Sequence, residues 1–293
     1  MRRPLPLAAL ATAALALTAC APQDEGSDAT ASGSSAAGSS AAAECSPESM
    51  KTLEANTLTI ATDQPAYEPW VVGDAPESGK GFEAAVAYAV AGQLGYSKDQ
   101  VTWTRVPFNA AIQPGARPFD FDINQFSITD ERKKAVDFSS PYYTVSQAVI
   151  TTAGSKADGA KSVADLKGLK IGAQVATTSL QVLNDVIAPS AGPVVFNSND
   201  DAKLALQNGQ VDAIVVDLPT AFFITSAELQ NAKIVGQLPA GTGTPEQFGA
   251  VLDKGSPLTP CVSEAVEALR SAGTLAALEQ QWLTSAGSAP ELT

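Results

Sequence analysis

The chain has 293 residues, 45% of them hydrophobic and 17% charged, with three cysteines; this can build a packed core and lies outside the disordered, collagen-like and disulfide-dense classes. Eighteen Lys and Arg against 31 Asp and Glu leave a formal charge of −13, the wrong sign for a surface that displaces counterions from nucleic acid. Histidine is absent, which removes Ser-His-Asp and Cys-His machinery and imidazole-ligated zinc; separately, no metal and no cofactor are expected.

In chain order, Arg2 and Arg3 precede a short apolar run from Leu5 to Leu17, and then Leu17-Thr18-Ala19-Cys20. The run is too short to span a bilayer. A charged start, a brief apolar segment and small residues before a cut site make an export signal. With Cys20 at the first position after the cut, residues 1–19 resemble a bacterial lipoprotein signal. That resemblance implies a diacylglyceryl group on the Cys20 thiol and anchoring by more than one acyl chain, which holds a protein to a membrane where a single chain does not. The alternative is an ordinary secretory peptide with an incidental cysteine. Residues 21–44 are mostly Ala, Ser, Gly, Asp and Thr. They have too little apolar area to offset ordering and read as a flexible tether with a reach of roughly 27 Å.

Cys45 opens the folded body and Cys261 lies near its end. An exported compartment permits disulfides, so the two are expected to pair; two buried thiols are the alternative. From Leu58 the chain alternates short apolar runs with amphipathic stretches: LTIATD, then GFEAAVAYAVAGQLG, then VTWTRVPF. Further on, FDINQF precedes TDERKKAV, LKIGAQ precedes TSLQVLNDVI, and DAIVVD precedes PTAFFITSAELQ. Each pair reads as a strand feeding a helix, the pattern of an α/β fold. KIVGQL and FGAVLD read as further strands, and Leu258 to Trp282 as one or two helices. In such sheets ligands sit at the carboxyl ends of strands, beside helix N-termini.

The body is similar to the bacterial family 3 of extracytoplasmic solute-binding proteins, which deliver polar amino acids to ABC importers. The similarity runs from Leu58 to Leu283. Its most specific piece is Ser127-Ile128-Thr129, Arg132, and Val136-Asp137-Phe138-Ser139-Ser140-Pro141-Tyr142-Tyr143, supported by Thr62-Asp63, Tyr67, Pro69, Gly81-Phe82-Glu83, Val211 to Asp217 and Gly273-Thr274-Leu275. The resemblance implies a type II periplasmic-binding-protein-like fold: two α/β lobes, a discontinuous first lobe and two hinge crossings, near Val145 and near Gly241. The expected division is a signal peptide at 1–19, a lipidated Cys and linker at 20–44, lobe 1 at 45–144 and 241–287, lobe 2 at 145–240, and a tail at 288–293. The partners it implies are an amino acid, a membrane permease and its ATPase. The protein is then a monomer on the extracytoplasmic face of the cell membrane, and a binder with no catalytic residues.

An amino acid offers a carboxylate, an ammonium and a side chain. Arg132 supplies a rigid guanidinium that meets a carboxylate through two parallel hydrogen bonds, as Lys cannot; its bland alternative, a solvated helix face, suits Lys133 and Lys134. Thr177 and Thr178 open a helix and on their own read as an N-cap, whereas the family match makes them carboxylate ligands. Asp217 ends an apolar strand before Leu218-Pro219, where it either caps the next helix or neutralises the ammonium, joined by the Ser127 hydroxyl and the Gln125 carbonyl. Tyr67 and Phe108 match aromatic walls of the family, although an isolated Phe is ordinarily core. Asp63 is the acidic contact to a ligand side chain, or else satisfies loop amides. Trp70, Trp103 and Trp282 read as packing. The chain departs from the family at Asn124 and Gln125, where small residues are usual, and at Ala176, commonly Gly. The rival readings are an exported dehydratase-like enzyme on the same fold and an amino-acid sensor or docking subunit.

Overall fold

The computed structural model describes residues 45–239, 245–283 and 289–293. The signal at 1–19, the Cys20 anchor, the tether and the crossing near Gly241 lie outside the described residues. Two five-stranded sheets carry the molecule. The first uses β1 (Leu58–Thr62), β2 (Val101–Arg105), β3 (Phe121–Asp122), β4 (Val136–Phe138) and the late strand β12 (Val251–Asp253), in the order β2-β1-β3-β12-β4. Strands β2, β1 and β3 run parallel, and β12 enters antiparallel between β3 and β4. The second sheet uses β6 (Gln147–Thr152), β7 (Ile171–Gln174), β8 (Val194–Phe196), β9 (Ala213–Asp217) and β10 (Ala232–Gln237), in the order β10-β6-β9-β7-β8. Between them, β5 (Tyr143–Val145) and β11 (Glu246–Phe248) pair antiparallel as a two-stranded ribbon, with Val145 opposite Glu246. The chain thus passes between sheets twice, which gives two lobes with a discontinuous first lobe.

Local chemistry explains the best-read elements. Every residue of β1 is buried, as a central parallel strand covered on both faces requires. Gly81, with φ of 101°, starts the helix Phe82–Gln93. A Cβ there would lie 2.4 Å from the Trp70 carbonyl oxygen, so only glycine lets the two backbones approach. The helices Thr259–Ser271 and Thr274–Leu283 pack against Phe82–Gln93, and Cys45 and Cys261 form a disulfide beside them.

Two expectations are corrected. TDERKKAV is not a helix: it makes one 3-10 turn, Arg132–Lys134, and then becomes β4, because Val136 to Phe138 pair with β12 and bury Val136 completely. FGAVLD is not one strand: it breaks at Gly249 and Ala250, whose N–H groups donate to the Phe126 carbonyl and the Ser139 hydroxyl, so β11 and β12 serve different sheets. Residues 289–293, the described part of the expected tail, dock on lobe 2. Gln237 donates to Pro290 at 2.7 Å, Leu292 donates back to Gln237 at 2.8 Å, and Leu292 is 2% exposed within the lobe 2 core. Strand β10 is an edge, and an edge strand accepts a further extended segment.

Among the described residues no helix is long and apolar enough to cross a membrane.

Candidate functional site

Between the lobes lies a cleft walled by Asp63, Tyr67, Phe108, Asn124 and Gln125 from lobe 1 and by Gln174, Thr177, Thr178, Ser179 and Asp217 from lobe 2. Asp63 follows β1 directly and Asp217 closes β9, so both carboxylates stand at the carboxyl ends of strands. The two sheets face the cleft with their C-terminal edges, where an α/β sheet holds its ligand.

Arg132 is 9% exposed. One terminal nitrogen donates to the Ser127 carbonyl of its own lobe at 2.8 Å, and the other crosses to the Ala176 carbonyl of lobe 2 at 2.9 Å. The guanidinium carbon sits 5.4 Å from the centroid of Phe108, which itself stacks on Phe126 at 4.8 Å. Phe108 therefore belongs to the lobe 1 core and to the cleft wall at once. Burial pulls Arg132 down to about 10 while Glu246 and Asp217 hold it up, so it stays cationic at neutral pH. Two carbonyls take only part of its five N–H donors; Arg132 and Ser127 are not among the residues that wall the cleft, and the guanidinium reaches it through Phe108, which is. Ala176 takes a left-handed φ of 63°, a conformation that costs an alanine about 1 kcal/mol relative to glycine.

Asp217 precedes the helix Leu218–Phe223 but its side chain caps nothing. Its carboxylate instead accepts the Gln147 amide at 2.7 Å. Burial first, and the charge of Glu246 second, push Asp217 up to about 8, against the pull of the Gln147 hydrogen bond and Arg132. Thr177 is a true N-cap: its hydroxyl accepts from Leu180 N–H at 3.1 Å and donates to the Gln174 carbonyl at 2.6 Å, so its proton is spent within its own lobe. The Thr178 and Ser127 hydroxyls lie 3.1 Å apart across the cleft. Gln125 turns its N–H and its side-chain amide onto Glu83, which also takes the Tyr142 hydroxyl. Burial pushes Glu83 up to about 7. Gln125 has φ of 47°, a left-handed conformation that glycine adopts without strain. Asp63 accepts the Gln64 N–H at 2.7 Å, and burial raises its carboxyl. Burial and the Asp200 carboxylate raise the Tyr67 phenol. The Asn124 amide nitrogen, buried in the cleft wall, has no hydrogen-bond partner among the described residues.

Three residues of this arrangement escape sequence reasoning. Glu246, on β11, accepts the hydroxyls of Ser127 and Thr178 on one oxygen and the Gln147 amide at 3.0 Å on the other. Gln147 spends all its amide, donating to Asp217 and Glu246 and accepting the Ser179 hydroxyl at 2.6 Å. Trp70, read as packing, is fully buried and also donates its indole N–H to Thr220 of lobe 2 at 2.9 Å. Glu246 carries no signal beyond one acid in a polar stretch. Gln147 carries a faint one, a lone amide heading the apolar run AVITT.

Residues 58–285 match the model of the bacterial extracellular solute-binding proteins, family 3. The L-arginine-binding protein of Pseudomonas aeruginosa is 28% identical over 77% of this chain and 90% of its own length. A solved ancestral arginine-binding protein bound to arginine superposes with a TM-score of 0.63 at 32% identity, covering 77% of this chain and 97% of that one. The ancestral amino acid-binding protein AncCDT-1, described as a precursor of cyclohexadienyl dehydratase, superposes with a TM-score of 0.63 at 28% identity over 78% and 95%. With a carboxylate in the wall of a two-lobed cleft, a buried guanidinium joining the two lobes, and the family model covering residues 58–285, this chain belongs to the bacterial extracellular solute-binding proteins, family 3.

Proposed function

We propose that the chain captures a free amino acid in this cleft and delivers it to the permease and ATPase of an ABC importer, as a monomer held outside the cell membrane by a lipid on Cys20. The observation that carries the proposal is that Arg132 of lobe 1 reaches the Ala176 carbonyl of lobe 2 at 2.9 Å beside the cleft that Asp217 of lobe 2 lines. A zwitterion neutralises both only when the lobes shut, so binding energy becomes closure by population shift. Arg132 and the backbone N–H groups of Thr177 and Thr178 take the carboxylate, Asp217 with Ser127 and the Gln125 carbonyl the ammonium, and Tyr67 and Phe108 the aliphatic stem. Asp63 meets the side chain. Three acids, Asp63, Asp217 and Glu246, stand against Arg132, which favours a cationic side chain, the class named in the Pseudomonas relative. Lobe 1 spans 45–144 and 241–287 in this reading, and lobe 2 spans 145–240.

A thermal-shift screen of the twenty amino acids and cystine, followed by calorimetry, tests it. A micromolar binder, about −8 kcal/mol, raises the melting point clearly at millimolar ligand. No shift with any of them would sink the proposal. The dehydratase precursor among the neighbours favours one second reading, an exported dehydratase; product formation from a cyclohexadienyl substrate would select it over simple binding. Unimpaired amino-acid uptake in a strain lacking the protein would point instead to a sensor or docking subunit.

A further inference from the structure

A hydroxyl has one proton to donate and two lone pairs with which to accept. Ser127 of lobe 1 and Thr178 of lobe 2 both reach the same oxygen, Oε1 of Glu246, and lie 3.1 Å from each other; the charged oxygen is the stronger acceptor and takes both protons. A carboxylate accepts and does not donate, so both protons are committed. The second Glu246 oxygen takes the Gln147 amide, which also holds Asp217. Glu246 is carried on β11, locked opposite Val145 in the ribbon, so its carboxylate is fixed where the chain crosses between the lobes.

We infer that Glu246 is a positioning residue of the binding site: by taking the protons of Ser127 and Thr178 it turns both hydroxyls into acceptors and commits the hinge end of the cleft to the ligand's ammonium. The inference rests on the amino-acid reading above and changes one detail of it. The carboxylate stays with Arg132 and the backbone N–H groups, while the Thr178 hydroxyl takes the place of the Gln125 carbonyl among the ammonium's acceptors. The ammonium meets lone pairs of Ser127 and Thr178 beside the Asp217 carboxylate. Three N–H bonds of an ammonium need three acceptors, and the two hydroxyl oxygens with Asp217 make three.

The test is calorimetry on wild type and Glu246→Gln with three probes: L-arginine, its α-hydroxy analogue lacking the ammonium, and L-arginine amide lacking the carboxylate. L-glutamine and its analogues replace them if arginine does not bind. The side-chain amide that this substitution introduces keeps one acceptor oxygen, which the Gln147 donor holds, and turns its NH2 toward the two hydroxyls, so at least one hydroxyl recovers its proton. We expect the preference for amino acid over hydroxy acid to fall by about tenfold or more, the usual scale for a hydrogen bond to a charged group. The preference for amino acid over amide stays within about twofold. Equal loss in both comparisons indicates a merely structural role and overturns the inference, as does no loss in either. Thr178→Ala reproduces the ammonium-specific loss, and adds less than its own effect when combined with Glu246→Gln; if Glu246→Gln does not fold, Thr178→Ala decides, because the Thr178 side chain has no part in ammonium binding unless Glu246 makes it an acceptor. A wild type that binds none of the twenty amino acids removes the functional reading and this inference together. Wild-type binding with unchanged ratios in Glu246→Gln removes only the inference.

Discussion

The two lobes build similar sheets around different interiors. Lobe 1 gathers Trp70, Phe82, Tyr142, Tyr143 and Phe248 edge-on or tilted, with centroids 5.3 to 6.3 Å apart, and ties its first residues to its last helices through Cys45–Cys261. Lobe 2 is aliphatic, divided by its sheet into one cluster around Leu166, Ile171 and Leu183 and another around Ile150, Leu206 and Ile214. Tyr143 and Phe248 belong to the ribbon, so by packing the ribbon is part of lobe 1. In the closure proposed above, lobe 2 is then the body that swings, and the site divides accordingly: lobe 1 brings a guanidinium that stays cationic at neutral pH, whereas lobe 2 brings a carboxyl that burial raises to about 8.

The largest expected effect breaks the brace of lobe 1. Replacing Cys45 and Cys261 by Ser removes a cross-link of sequence separation 216, worth about 5 kcal/mol on the chain-entropy model. Hydrogen exchange should report the loss first in the helices Phe82–Gln93 and Thr259–Ser271, with lobe 2 still protected. If lobe 2 amides exchange earlier or equally, the two lobes are one cooperative unit and the contrast between them fails.

Next comes the fixed charge. Arg132→Lys loses the paired N–H geometry and one of the contacts to Ser127 and Ala176, and amino-acid affinity should fall by about 100-fold. Lys133→Ala, an exposed side chain engaged only with Asp130, should leave affinity unchanged. Equal behaviour of the two would remove Arg132 from the site.

How much of this is legible in the sequence follows from the range of the interactions. The helix Phe82–Gln93 and the strands β1, β7 and β9 are written in local pattern, and Arg132 and Asp217 in motif and position. β3 is legible only as part of a longer apolar run, because a two-residue strand exists by pairing with β1 and β12, far away in sequence. Glu246 lies 119 residues from Ser127 and 68 from Thr178, and no local pattern encodes such a meeting. The Thr177 hydroxyl can be read either way from sequence, and its capping bond to Leu180 spends it on the helix rather than the ligand.

The docked C-terminus sharpens the comparison from the side of lobe 2. Leu292 fills the aliphatic cluster from outside the lobe's own sequence span, so Leu292→Ala should cost about 2 kcal/mol, the lower end for a buried leucine. Urea unfolding would show it, with lobe 1 exchange protection untouched. A neutral result would mean that the terminal segment lies on lobe 2 without supporting it.

The smallest effect tests the conditional charge of Asp217. This carboxyl sits at about 8 against an ordinary 3.8, so between those values the native state holds a proton that the unfolded chain has released. Its contribution to stability is fully present below about pH 4 and is lost as pH rises through 8. An ammonium docking beside Asp217 favours the charged form and expels the proton. Binding at pH 7 should therefore release up to one proton, and affinity should rise with pH toward 8. Calorimetry in buffers of different ionisation enthalpy measures the release, and Asp217→Asn should abolish it. Glu83 titrates near 7 as well, but it faces Tyr142 and Gln125 rather than the cleft, so its proton should be indifferent to ligand. Proton release that survives Asp217→Asn would place the ammonium elsewhere, and the swinging lobe would then contribute shape to the site without contributing charge.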